Sequence, residues 1–286
     1  MSHTHSAEAG FTTVIEPRTR LFDVNLKELW HYRDLLGLFV KRNIAVQYKQ
    51  TILGPLWYIV QPALTVVMYM VVFGGIAGIP TDGIPQPLFY LAGVCIWQYF
   101  ADCLNNTANT FVTNSNIFGK VYFPRLIMPL SDTVSNLLRF SIQLGLFLIV
   151  YAVYAFIGVP AHLTWYALLF PLLVLMLAGL ALGFGILISS MTTKYRDLQI
   201  LFSFLVQLWM YATPIFYPAS ILPDEFKFIL NVNPLYYYIN NMRTCIIGGI
   251  SPEPLQYIIC ALFAFGSVGL GSLVFFKAQD RFILYL

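Results

Sequence analysis

The chain has 286 residues, 58% of them hydrophobic and only 10% charged, with a net charge of +3. A water-soluble domain carries roughly a quarter charged residues, so a soluble globular enzyme is excluded. The basic residues are spread over loops rather than gathered in a patch, which leaves no nucleic-acid surface. Apolar runs of about twenty residues recur, long enough to cross a bilayer as helices. Composition therefore gives an all-α, polytopic membrane protein.

Residues 1–32 read as a cytoplasmic tail and 33–53 as an amphipathic helix at the membrane interface. In that helix Leu36, Val40 and Ile44 recur at i, i+4, i+8, with Arg42, Ala45 and Lys49 on the roughly opposite face. A basic amphipathic helix beside a bilayer lies in the interface plane. Two roles stay open for it, an anchor on anionic lipids or a movable collar at the mouth of a channel.

Residues 54–286 read as a six-helix transmembrane domain, with spans at about 56–77, 88–110, 135–158, 165–190, 199–217 and 256–276. Of the 16 basic residues, 13 fall before the first span or after the second, fourth and sixth. The positive-inside rule then puts both termini in the cytoplasm. The second span carries Asp102, Asn105, Asn106, Asn109 and Thr113 on one helical stripe. Turning such a stripe to lipid costs several kcal/mol for the carboxylate alone, so it faces helices or water unless the span ends near Asp102. Arg139 and Gln143 of the third span are the partners expected for it.

Amide side chains suit sugar hydroxyls, and aromatic rings suit sugar C–H faces. Trp57, Tyr58, Tyr69, Trp97, Tyr99, Trp209 and Tyr211 are the candidate aromatics, although Trp and Tyr also collect at membrane interfaces. Gly179-x-x-x-Gly183 and Ser267-x-x-x-Gly271 permit close helix contact, hinting at a dimer. Residues 218–255 are half apolar and broken by Pro, Gly and Asn, which suggests short helices dipping into the membrane face, as an outer gate or an interfacial cap. The four cysteines lack CxxC spacing and read as packed, unpaired thiols. None of the four histidines lies inside a span, so no histidine metal site is expected.

Between the second and third spans lies "SNIFGKVYFPR", residues 115–125. Gly119-Lys120 is not a phosphate loop, because GxxxxGK[ST] needs Gly where Asn114 stands and Ser or Thr where Val121 stands. Ile117, Phe118, Val121, Tyr122 and Phe123, taken as exposed beside Lys120 and Arg125, have the character of a docking surface. A helix lying on the membrane has the same composition. No HExxH, GxSxG or grouped acidic residues occur that would run catalysis.

Four stretches in order, "RNIAVQYKQTILGPLWYIVQPALTVVMYMVVFG", "NIFGKVYFPRLIMPLSD", "KYRDL" and "NVNPLYYYINNMR", resemble the membrane subunit of type-2 ABC exporters for bacterial cell-surface polysaccharide. The resemblance implies a homodimer in the bacterial cytoplasmic (inner) membrane with two separate ATP-binding cassette ATPase subunits. ATP and Mg would be held by those partners and no cofactor by this chain. It implies that 115–125 is a coupling helix and that Arg196 and Asp197 of "KYRDL" add a second ATPase contact. Arg42, Tyr48 and Lys49 would stand at a cytoplasmic gate for a polyprenyl-pyrophosphate-linked glycan. Asp102, Asn106, Asn109, Arg139 and the aromatics named above would line the channel, and 218–255 would form the periplasmic gate. One departure stands out: the family reads Arg-Asp and then Arg-Tyr where this chain has Arg42-Asn43 and Gln47-Tyr48. The function implied is export of lipid-linked polysaccharide, O-antigen before capsule or teichoic acid. A membrane glycosyl- or acyltransferase acting on lipid-linked sugars is the alternative, and a drug or lipid permease of the same fold a third reading.

Overall fold

The computed structural model of the chain describes residues 26–49, 51–118, 123–158, 165–192, 197–247 and 253–285. The described residues are helical or irregular, with no strand among them. In chain order the helices are α1 (Leu26–His31), α2 (Arg33–Tyr48), α3 (Trp57–Tyr69), α4 (Gln86–Thr113), α5 (Ser115–Phe118), α6 (Ile127–Phe156), α7 (Phe170–Thr192), α8 (Leu198–Ala212), α9 (Lys227–Val232), α10 (Pro234–Met242) and α11 (Pro254–Tyr285). Two π-helical turns, Met70–Ile76 and Arg243–Ile247, continue α3 and α10.

Proline sets many of the starts. Pro87, Pro129, Pro171, Pro234 and Pro254 all lie in the first turn of their helices, where a missing N–H costs nothing and the fixed φ suits the helix. Among the described residues five segments are long and apolar enough to span a bilayer: Gly54–Ile76, Gln86–Thr113, Ile127–Phe156, Trp165–Thr192 and Pro254–Lys277. The fifth expected span, 199–217, is shorter than the sequence reading. α8 stops at Ala212, because Thr213 precedes Pro214 and takes an extended ψ of 134°. The third span starts earlier than expected, at Ile127, and the sixth runs on past residue 276 to Tyr285. The loop at 159–164 lies outside the described residues.

α4 is the axis of the bundle. Its apolar window is 83% buried against 11% for the first span, and α3, α6, α7, α8 and α10 all pack on it. α7 and α11 form the other extensive seam. A Cβ on Gly183 would stand 2.3 Å from the Ser267 carbonyl carbon, and one on Gly271 2.4 Å from the Gly183 carbonyl oxygen. The two small-residue stripes therefore meet each other inside the chain, which corrects the hint that they serve a dimer. All four cysteines are buried free thiols.

Candidate functional site

A part-buried polar seam joins α2, α4 and α6 at the end of the bundle where the basic residues lie. Asp102 accepts from Gln98 Nε2 at 3.0 Å and is ion-paired with Arg139. The Arg139 guanidinium donates to the Tyr58 hydroxyl at 3.4 Å and lies 4.5 Å from that ring's centre. The Tyr58 hydroxyl in turn donates to Gln47 of α2. One turn along, Asn106 Nδ2 donates to Asn136 Oδ1 at 3.2 Å. A further turn along, the Thr110 hydroxyl donates to Asp132, whose other oxygen accepts from Asn43 Nδ2 at 2.8 Å. Asn43 Oδ1 accepts from Arg42 at 3.0 and 3.3 Å, and Arg42 also donates to Asn114 Oδ1 at 3.0 Å.

Two neighbouring residues of α2 thus grip both stems of the 115–125 segment, Arg42 at Asn114 and Asn43 at Asp132. Between those grips Phe39 packs 5.5 Å from Phe123, which stacks on Phe118 at 5.5 Å. The buried Ile127 and Met128 of α6 belong to the same cluster, with Leu35, Leu36 and Ile117 packed against it. This corrects two expectations. Arg42 is on the packed face of α2, stacked 5.0 Å over Phe39, rather than opposite Leu36. Phe123 is 5% exposed, and Ile117 and Phe118 are half-buried, so these side chains hold the segment to α2 instead of facing solvent. An aromatic in a short polar loop reads alike whichever way it turns. Arg125 is half-buried and Lys49 exposed, while Lys120, Tyr122, Arg196 and the Tyr48 side chain lie outside the described part. Asp197 caps α8, accepting from Leu198 N at 3.1 Å.

The α4 stripe divides between two neighbours. Asp102 and Asn106 turn to α6, whereas Asn105 and Asn109 face α8 across a small gap lined also by Gln199, Ser203 and Thr192. Gln143, the other partner expected for the stripe, is buried with its side-chain oxygen unpaired. The aromatics divide as well. Trp57 and Tyr211 are exposed, and Tyr58 lies under Arg139. Tyr69 is half-buried, its edge on Phe216 at 5.4 Å. Trp97 and Tyr99 are in the core, the latter 5.1 Å from Phe140, and are corrected from lining to packing. Trp209 packs at 5.2 Å against Phe100 and donates its indole N–H to Asn233 at 3.0 Å, which removes it from the lining too.

At the opposite end two polar side chains fasten the break after α8. Asn233 caps α10 through Leu235 N (3.1 Å) and donates to Ala212 O (3.2 Å) and Thr213 Oγ1 (2.9 Å). Arg243, 6% exposed, donates to the carbonyls of Pro214 (2.7 Å), Ile215 (2.8 Å) and Phe89 (3.2 Å), its guanidinium 3.6 Å from the Phe89 ring centre. Gly93 allows this approach, since a Cβ there would meet Arg243 and Ile215 at 3.1 Å. Within 218–255, α10 is buried against α4 and α11, while the turn before it is exposed. There Lys227 bridges Asp224 at 2.5 Å and holds that carboxyl below its ordinary range. Sequence reasoning missed Asn43, Asp132, Asn136, Asn233 and Arg243. The available signal for Asp132 was a charge beside an apolar helix, which needs partners.

The family model of the ABC-2 type transporter matches residues 34–247, from α2 to the turn bearing Arg243. The chain belongs to the ABC-2 type transporter family. Both polar clusters lie within the matched ABC-2 region, and α11 lies beyond it. The chain is 31% identical over 260 residues, 90% of its length and 97% of the relative's, to the O-antigen export system permease protein RfbA of Myxococcus xanthus. It is 29% identical over 250 residues, 87% and 93% of the two lengths, to the RfbA protein of Klebsiella pneumoniae. The polysialic acid transport protein KpsM of Escherichia coli is 21% identical over 247 residues, 85% of this chain and 92% of that one. Family and relatives together mark a membrane-embedded transport subunit.

Proposed function

We propose that this chain is the channel-forming subunit of an ATP-driven exporter that moves polyprenyl-pyrophosphate-linked O-antigen across the bacterial cytoplasmic membrane. The observation that carries the reading is the near end-to-end match to proteins named O-antigen export permease, at 29–31% identity. The geometry is in keeping with it. α3 and α8 have broad uncovered faces, with Leu64 at 58%, Met68 at 59%, Ile200 at 77% and Phe204 at 56% exposure. Two copies meeting near these helices would bring α3 and α8 of each to a shared path.

In this reading the chain crosses the membrane six times with both termini cytoplasmic. α8 has 15 residues, about 22 Å of helix, and needs part of 213–217 to complete its crossing. The segment from Pro218 to Ile247 is a re-entrant cap on the periplasmic side, and α2 lies in the cytoplasmic interface. ATP and Mg are bound by a separate cassette ATPase that docks on 115–125, through residues other than the buried Phe123. The test is co-expression with the ATPase encoded beside this chain, comparing wild type with Lys120→Glu and Asn116→Arg. Co-purification with wild type and its loss from the variants is expected. No ATPase bound to wild type overturns the exporter reading.

A further inference from the structure

On the exporter reading just given, the faces that two copies would turn toward the transported polymer have a consistent chemistry. The span containing α3, Gly54–Ile76, has no Asp, Glu, Lys or Arg, and neither has α8. The polar groups on their exposed or half-exposed sides are Gln61 and Thr65 on one helix and Gln199, Ser203 and Gln207 on the other. Behind α8, α4 turns Asn105 and Asn109 to a small gap within the subunit, the latter with a buried side-chain oxygen that has no hydrogen-bond partner. The ionised groups at this depth, Asp102 and Arg139, neutralise each other. Both Asp102 oxygens are engaged, one by Gln98 and one by Arg139.

We infer that the glycan carried by this subunit is built of uncharged sugars. A polymer bearing a carboxylate or phosphate on every repeat presents many anions to a low-dielectric wall. Pores that pass anions meet them with rings of Lys or Arg. Here the exposed sides of α3 and α8 offer mostly apolar side chains, with a few amides and hydroxyls and the exposed rings of Trp57 and Tyr211, which meet sugar hydroxyls and C–H faces and supply no counter-charge. The pyrophosphate of the lipid carrier is a single charged group per chain. The exposed Lys41 of α2 and Lys49 just after it can meet it at the cytoplasmic rim.

The experiment uses the full chain with its ATPase in proteoliposomes. One probe is a fluorescent polyprenyl-pyrophosphate-linked polyhexose, and the other is the same glycan oxidised at C6 to uronate. ATP-dependent movement to the far side is read by protection from an added glycosidase. Neutral glycan transported more than about tenfold faster than uronate glycan is expected. Ser203→Lys and Gln207→Lys, checked for assembly by ATPase co-purification, should narrow that ratio by admitting the uronate form. Equal transport of both glycans by wild type overturns the inference and leaves the exporter reading standing. An unchanged ratio in assembled lysine variants also overturns it, because the wall then does not select. If an intact ATPase complex moves neither glycan, the exporter reading falls and the inference falls with it.

Discussion

Arg243 shows how much one side chain is asked to hold. Its guanidinium fork donates to three main-chain carbonyls, those of Pro214 and Ile215 at the break after α8 and that of Phe89 in α4. Lysine keeps the charge but not the planar fork. Arg243→Lys should therefore destabilise the subunit by about 2–3 kcal/mol, and Arg243→Gln by at least as much. The check is the unfolding midpoint of the detergent-solubilised protein, where a shift within error for both variants would remove the clamp. Such a role was hard to read in the sequence, where Arg243 stood among loop charges. A carbonyl leaves no mark in the residue code, and only Pro214 hinted that unpaired carbonyls were nearby. Asp102 and Arg139 were legible for the converse reason. A charge inside an apolar run must find an opposite charge, and few were on offer.

Among elements, α2 and the 115–125 segment act as one piece. Asn43 is the joint, since its amide accepts from Arg42 and donates to Asp132, two things a carboxylate cannot do together. The departure from the family's Arg-Asp pattern therefore fits an acid placed opposite, at Asp132. Asn43→Asp should set two carboxylates face to face and loosen α2 by about 1–3 kcal/mol, and the added change Asp132→Asn should restore it. Limited proteolysis between α2 and α3 reads this out, and equal cleavage of the single and double variants would dismiss the joint. Element positions were the most legible level. The apolar runs located each long helix, yet α6 was started too late, its opening turn at Pro129 passed over, and α8 was drawn too far because hydropathy outweighed the pre-proline rule at Thr213. The inward turn of Phe123 depended on a partner face on α2, distant in sequence, that periodicity assigned to the wrong side of Arg42.

At the scale of the whole subunit, the bundle is well covered on α4 and sparsely on α3 and α8. If those helices are the meeting surface of two copies, a cysteine placed at Leu64 or Phe204 should give an oxidative cross-link between subunits. The four native thiols are buried and leave little background. A cross-linked dimer on a denaturing gel is the expected result, and monomer alone from both positions would count against the surface.

The seam between Gly183 and Ser267–Gly271 has a bearing on how the protein is made. The partner of α7, α11, leaves the ribosome after the ten other described helices. Until Pro254–Tyr285 has entered the bilayer, the glycine notch of α7 stands open to lipid and to any other helix small enough to fit it. Closure of the α7 seam thus waits for α11. A chain cut short before Pro254 would insert its earlier helices yet remain recognisable, by that open notch, as unfinished.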